Sequence, residues 1–138
     1  MLGTLNVRFL EDQHGAKVYI SDTLLKYDHT VFVYSSYKNA KKGKKIRLSL
    51  EKKCKNSSVK IFEVAYLEFI PKLARGLLKK NMSFIKRQIL LDFKGEFKKN
   101  YNLDTASLNV LIFQKDSLIS ILKDPDVEKI KDLINQTK

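Results

Sequence analysis

The sequence is poor in the residues that build disulfides, zinc sites and phosphate-binding loops. Cys54 is its one cysteine, so these 138 residues cannot form an internal disulfide. With only His14 and His29 beside it, no zinc-ligand spacing can be assembled. The five glycines are scattered singly and form no glycine-rich phosphate loop. We therefore expect neither a metal nor another cofactor.

Long apolar runs are also missing. None approaches the ~18 residues that a membrane span requires, and the stretch "MLGTLNVRFLEDQHG" reaches acidic residues without first forming an apolar core. These features predict a cytoplasmic protein with no signal peptide and no membrane partner. The length and a hydrophobic fraction of 43% suit one compact domain over residues 1–138, strand-rich over 1–69 and helix-rich over 70–138.

Negative charge is scarce relative to positive charge. The chain has 27 Lys and Arg against 15 Asp and Glu, a net charge of +12. Residues 38–60 alone hold ten basic side chains, with Glu51 as the one acidic residue among them. Such clustering indicates a binding surface rather than an evenly solubilised exterior, and a field of this sign attracts polyanions.

The first half of the chain predicts two hairpins. "LNVRFL" and "AKVYIS" are β-rich runs joined by the turn "EDQHG". "TVFVYSSY" and the alternating run "IRLSL" predict a second hairpin, with "KNAKKGKK" as its tip and Gly43 supplying the permissive backbone. For "SSVKIFEVAYLEF", residues 57–69, propensity favours a strand, although a helical spacing also fits.

The second half predicts mainly helices. Pro71 suits the start of a short helix, and Ser83 can cap a longer helix to about Asn100. "LNVLIF" predicts a last strand, and Asp116 and Asp124 cap two short C-terminal helices. Together these elements predict an α+β fold, a mainly antiparallel sheet of four to six strands with helices packed on one face.

Charge and aromatic residues together favour a nucleic-acid-binding protein, of DNA or RNA, without catalysis. The hairpin over residues 38–47 and a basic stripe on the long helix would contact phosphates, and a tyrosine beside the tip would stack on bases. The residues assigned to this interface are Tyr34, Tyr37, Lys38, Lys41, Lys42, Lys44, Lys45, Arg47, Lys52, Lys53, Arg87, Lys94 and Lys98.

Two other classes of protein remain open. One is a protein-interaction or inhibitor module, from a virus or mobile element, that binds an acidic protein surface; a homodimer is also compatible with the sequence. The other is a small nuclease, either metal-dependent through Glu51, Lys53 and Asp28 or of the toxin type through His29 and Arg47. We assign no catalytic or metal-binding residue, since Glu-x-Lys arises easily by chance in a lysine-rich chain.

Overall fold

The computed structural model describes residues 7–138, and this part of the chain forms one seven-stranded mixed sheet. The strands are β1 (Phe9–Asp12), β2 (Lys17–Tyr19), β3 (His29–Ser35), β4 (Val59–Tyr66), β5 (Ile89–Asp92), β6 (Asn109–Gln114) and β7 (Ser117–Lys123). The helices are α1 (Ile20–Lys26), α2 (Ala40–Lys53), α3 (Arg75–Met82), α4 (Glu96–Tyr101) and α5 (Val127–Gln136). Short 3-10 turns precede α2 at Tyr37–Asn39 and α3 at Lys72–Ala74.

The centre of the sheet is parallel, so the predicted mainly antiparallel sheet of four to six strands is wrong. The strand order is β2-β1-β5-β4-β3-β6-β7; β3 pairs in parallel with β4 and β4 with β5, while the outer pairings are antiparallel. Every residue of β3 is buried. A continuous buried run of this kind is typical of a central strand covered on both faces.

Helices cover both faces of the sheet rather than one. On one face, Phe32 and Tyr34 of β3 pack with residues of α1 and with Phe97 of α4. On the other face, Val31 and Val33 pack with residues of α2 and α5. Successive side chains of a strand point to opposite faces, so β3 contributes to both cores. None of the helices between residues 7 and 138 is long and apolar enough to cross a membrane.

The predicted second hairpin is wrong because its lysine-rich tip begins α2. Ile46, Leu48 and Leu50 alternate as in a strand, but Leu48 is exposed, whereas Gly43, Ile46 and Leu50 are buried at helical spacing. Gly43 lets the helix approach β3 closely: a Cβ there would lie 3.2 Å from the Cβ of Ser35. The chain therefore crosses over through α2 to a parallel strand.

The predicted long helix over residues 83–100 is also wrong. Residues 89–92 form β5, and Gly95 adopts a left-handed conformation (φ 64°) that ends the turn after the strand. Asp92 then accepts hydrogen bonds from the backbone N–H groups of Glu96 and Phe97 at 2.8 and 3.1 Å, which starts α4. The basic stripe inferred for one helix consequently falls on three different elements.

Several local predictions agree with the structure. The first hairpin is confirmed, with Phe9 opposite Tyr19, although positions 5 and 6 of its first run lie outside the described residues. The strand preferred for residues 57–69 is confirmed as β4, and "LNVLIF" covers all of β6 except its last residue, Gln114. A strand, β7, replaces the helix predicted after Asp116. The final helix begins after Asp126, whose side chain accepts the Lys129 N–H, and not at Asp124.

Candidate functional site

The carboxyl ends of β3, β4 and β5 meet at one edge of the sheet. In open sheets built from β-α-β units, ligands bind outside the carboxyl ends of the strands, at the point where the strand order reverses. Here the reversal lies at β3: its crossover leads to β4 on one side, and β6 lies on the other. The turn from β3 into α2, residues 36–39, occupies this point and forms the centre of the candidate site.

This turn is held rigidly while its side chains remain accessible. The Ser36 N–H donates to Asn39 Oδ1 at 2.7 Å, and the Asn39 N–H donates to the Ser36 carbonyl oxygen at 3.2 Å. Tyr37 is 84% exposed, and Lys38 and Lys41 are also exposed. The N-terminal end of α2, which carries the partial positive charge of the helix dipole, lies at the same edge.

A buried tyrosine–carboxylate pair forms the floor beneath this edge. The Tyr34 hydroxyl donates to Asp92 Oδ2 at 2.8 Å, and Asp92 is fully buried. Burial raises the pKa of Asp92 above its ordinary value, while the hydrogen bond from Tyr34 opposes that rise. Burial and the neighbouring carboxylate also raise the pKa of Tyr34. Both groups thus connect the ends of β3 and β5 and act as structural polar residues.

The loop after β4 forms one rim of the site. The Tyr66 hydroxyl donates to Glu68 Oε1 at 3.1 Å, and Lys99 Nζ lies 2.8 Å from Glu68 Oε2. The bond from Lys99 and the bond from Tyr66 lower the pKa of Glu68. Lys98 Nζ lies 5.4 Å from the centre of the Tyr66 ring. This rim is therefore an ordered mixture of aromatic rings and paired charges.

Several residues assigned to a nucleic-acid interface are internal. Tyr34 is buried and cannot stack on a base. Arg47 is buried; its Nε lies 2.7 Å from Glu51 Oε1, and its guanidinium also donates to the Gln88 carbonyl oxygen. Arg87 lies in the loop before β5 and donates twice to Glu63, at 3.0 and 3.2 Å. Both arginines hold elements together.

The remaining assigned residues are distributed along and beyond α2. Lys42 Nζ lies 3.1 Å from Asp124 Oδ1, and Lys53 is paired with Glu128. Those that are exposed and have no ion pair within residues 7–138 are Lys38, Lys41, Lys44, Lys45, Lys52 and Lys94. At 1.5 Å per residue, the two ends of α2 are roughly 20 Å apart, so its lysines do not converge on one point.

Cys54 lies far from the candidate site. It follows the last turn of α2, which returns the chain to the opposite edge of the sheet, and its N–H donates to the Leu50 carbonyl oxygen at 2.7 Å. The thiol packs against the apolar cluster beneath α2 and α5, and burial raises its pKa. A raised pKa keeps the thiol protonated, and the thiolate is the reactive form.

The nuclease candidates are not brought together. Glu51 is a helix residue bound to Arg47, Asp28 lies 3.6 Å from Lys115, and the Nε2 of buried His29 lies 2.7 Å from Thr137 Oγ1. Among residues 7–138 there is no group of three metal-binding side chains.

Solved structures identify the fold. The pneumococcal exposed lipoprotein thioredoxin from Streptococcus pneumoniae superimposes with a TM-score of 0.72 at 12% identity, covering 93% of this chain and 97% of that one. The N-terminal domain of PilB from Neisseria gonorrhoeae gives 0.69 at 16% identity, with 91% and 86% covered. The chain has a thioredoxin-like fold. A secreted disulfide oxidoreductase from Mycobacterium tuberculosis gives 0.62 at 10% identity, with 93% and 94% covered.

No protein-family model and no curated protein matches the thioredoxin-like chain. The structural relatives nevertheless overturn the nucleic-acid interpretation: they are described as thioredoxin and disulfide oxidoreductase, and the hairpin and long helix of the expected interface do not exist. The expected viral or mobile-element origin has no support in these comparisons. An acidic protein surface as partner has no support in this fold.

The turn from β3 into α2 contains no cysteine. Reactive thiols of the Cys-x-x-Cys type depend on a helix N-terminus beside a β-α unit, which stabilises a thiolate. The corresponding turn in this chain reads Lys38, Asn39, Ala40, Lys41. Sequence reasoning assigned Tyr37, Lys38 and Lys41 to a binding surface but placed them at a hairpin tip that contacts nucleic acid. The helical spacing of Gly43, Ile46 and Leu50 directly after a β-rich run was the available signal for a strand-to-helix turn.

Proposed function

We propose that this chain is a thioredoxin-fold protein-binding domain without thiol–disulfide chemistry of its own. It holds an extended polypeptide segment at the carboxyl edge of β3, where Tyr37 provides the exposed aromatic contact. One observation carries the proposal: Lys38 in the 3-10 turn before α2 and Lys41 in the first turn of α2 lie three residues apart, and the chain's single cysteine follows the far end of that helix.

The chain cannot catalyse thiol–disulfide exchange by itself, because that reaction transfers two electrons and requires two thiols. A thiolate attacks the substrate disulfide, a mixed disulfide forms, and a second thiol displaces the reduced product as an enzyme disulfide is made. One cysteine cannot complete this two-electron cycle within the chain, and Cys54 has a raised pKa. The lysines cannot replace it, because a mixed disulfide requires a sulfur atom on the enzyme.

The polypeptide partner follows from the geometry of the same edge. An enzyme that reduces a protein disulfide must hold the polypeptide beside the helix N-terminus, and one structural relative is described as a disulfide oxidoreductase. This chain keeps the strand end, the turn and the accessible helix terminus. Tyrosine also supplies a large rigid contact at low entropic cost, which is why it is enriched at binding hot spots.

Restoring the dithiol tests the proposal. In a Cys54→Ser background, Lys38→Cys with Lys41→Cys should give a protein that catalyses insulin reduction by dithiothreitol, whereas the unmodified chain should not. Lys41→Cys with Lys44→Cys is the matched control, since it has the same spacing one turn further into α2. Insulin reduction by the unmodified chain would overturn the proposed lack of chemistry. A folded but inactive Lys38→Cys, Lys41→Cys protein would overturn the binding edge.

Substrate size then separates binding from thiol reactivity. In the Lys38→Cys, Lys41→Cys protein, Tyr37→Ala should raise the KM for insulin on the order of tenfold, the loss expected for a hot-spot aromatic. The rate with a small-molecule disulfide should be unchanged, because such a substrate needs no polypeptide contact. Equal effects on both substrates would mean that Tyr37 acts on the thiols and not on the polypeptide.

We also infer a cytoplasmic location, because a chain that makes no internal disulfide gains nothing from an oxidising compartment. Fractionation of cells that express the protein tests this inference. Recovery of the protein in the culture medium would contradict it.

A further inference from the structure

The segment between β4 and β5 exposes an unusual amount of apolar surface. Leu73 is 100% exposed, Phe84 87%, Leu77 64% and Phe69 55%. These side chains are neighbours along one short stretch of chain that contains the 3-10 turn and α3. A single exposed apolar residue needs no explanation, but a contiguous group marks an interaction site.

This apolar group is separate from the face that fixes α3 to the domain. Leu78, Met82 and Ile85 pack on the small core formed by β5 and the end of β4. At about 100° per residue, Leu77 is displaced by about 100° from Leu78 on α3. Leu73 lies in the 3-10 turn before α3 and is fully exposed. The segment thus has one group of apolar side chains that packs on the domain and a second group that is exposed and lies outside that core.

The same segment is strongly basic. Residues 69–91 contain six basic side chains and no acidic one. Arg87 is bound to Glu63, and Lys79 to Glu11. The three that are exposed and have no ion pair in the described part of the chain are Lys72, Lys80 and Lys86. Exposed apolar side chains therefore alternate with unpaired cations along this one segment, and we call these residues the α3 ridge: Phe69, Lys72, Leu73, Leu77, Lys80, Phe84 and Lys86.

We propose that the α3 ridge attaches the protein peripherally to an anionic lipid surface. Interfacial attachment uses Leu and Phe buried at the boundary between headgroups and acyl chains, with Lys and Arg facing anionic headgroups. Complete exposure of Leu73 indicates a convex ridge and not a groove that would receive a peptide. A second copy of the chain is disfavoured, because it would place the three unpaired lysines of one ridge against those of the other. This proposal replaces the expectation of no membrane partner and is independent of the site at Tyr37.

Vesicle sedimentation tests the proposal. The protein should sediment with phosphatidylcholine vesicles that contain phosphatidylserine, should remain in the supernatant with pure phosphatidylcholine, and should be released by high salt, since salt screens the charges. Leu73→Ser with Leu77→Ser should lower the partition coefficient on the order of tenfold. Leu25→Ser with Leu48→Ser, exposed leucines on other helices, should leave it unchanged.

Two variants with the same change in net charge distinguish a specific effect of the ridge lysines from a general effect of the protein's charge. Lys72, Lys80 and Lys86 changed together to Gln should lower the partition coefficient by roughly fivefold per lysine. Lys41, Lys44 and Lys45 changed to Gln remove the same charge from α2 and should have a much smaller effect. Equal losses in the two triple variants, or no binding to phosphatidylserine vesicles, would overturn the proposal. So would self-association in analytical ultracentrifugation that Leu73→Ser abolishes, because that result assigns the ridge to a second copy.

Discussion

Replacing Tyr34 by Phe removes a single hydroxyl from the buried floor of the candidate site. The ring remains in the aromatic cluster, where it stacks with Phe97 at a centroid distance of 5.9 Å and 9° between the planes. Asp92 loses the donor at 2.8 Å and keeps the backbone N–H groups of Glu96 and Phe97. The change therefore isolates one hydrogen bond to a buried carboxylate.

The expected cost follows from that geometry. A hydrogen bond to a charged group contributes about 1.5–3 kcal/mol, and Phe fills the volume of Tyr without leaving a cavity. We expect Tyr34→Phe to lower the free energy of unfolding at pH 7 by about 2 kcal/mol. For a domain of this size, that corresponds to a fall in Tm of roughly 5–10 °C.

The effect should depend on pH. Burial raises the folded-state pKa of Asp92 above 3.8, and the bond from Tyr34 opposes the rise because it favours the ionised form. Because the folded pKa of Asp92 lies above the unfolded value, the free energy of unfolding decreases as pH rises between the two values. In Tyr34→Phe the folded pKa is higher still, so this decrease is larger. The difference between Tyr34→Phe and the unmodified protein should therefore shrink as pH falls from 7 toward the carboxyl range.

Urea unfolding at pH 7 and near pH 4.5 measures both quantities. Tyr37→Phe is the matched control, since Tyr37 is exposed and its hydroxyl has no bond among the described residues; its cost should stay below about 0.5 kcal/mol. Equal stability of the two variants, or a Tyr34→Phe cost that grows as pH falls, would refute the reasoning about the buried pair.

Three further outcomes are expected in urea unfolding experiments. Burial lowers the pKa of His29, so below about pH 6.5 the unfolded chain binds a proton that the folded chain does not, and the free energy of unfolding should decline from pH 7 to 5. His29→Gln should flatten that decline; an unchanged decline would mean that another group causes it. Gly76→Ala should stabilise the fold by about 0.5–1 kcal/mol, since nothing lies within 4 Å of the Cβ position. Gly43→Val should destabilise it by about 1–3 kcal/mol, because the new side chain would collide with Ser35. A change of the same sign in both variants would contradict the packing argument. Glu63→Gln should cost on the order of 3 kcal/mol by leaving buried charge unpaired, unlike the surface change Lys52→Gln.

Local sequence patterns were sufficient where neighbouring residues decide the structure. The turn "EDQHG" specifies the first hairpin, in which the Gly15 N–H donates to the Asp12 carbonyl oxygen and Leu10 pairs with Val18. The β-branched and aromatic runs that became β4 and β6 were also readable, because they are continuous and buried on both faces.

Local patterns gave the wrong element where one segment fits both the two-residue period of a strand and the 3.6-residue period of a helix. Ile46 and Leu50 suit a strand face or a helix face, and burial of Gly43 against Ser35 favours the helix. Likewise Ile89 and Phe93 fit a helical spacing of four, but pairing of residues 89–92 between β1 and β4 stabilises a strand. Such pairings join residues far apart in sequence, so no local pattern contains them.

Composition by itself determined the chemical limits of the candidate site. One cysteine in 138 residues excludes an internal dithiol whatever the fold, and +12 charges require a basic surface. Only the tertiary structure decided where these residues act: it placed Lys38 and Lys41 at a helix N-terminus and Cys54 at the far end. It also buried Arg47, because that guanidinium approaches Glu63 only after α2 has packed on β4. Residue type is a property of the chain, whereas exposure and pairing depend on contacts that form only when distant segments pack together.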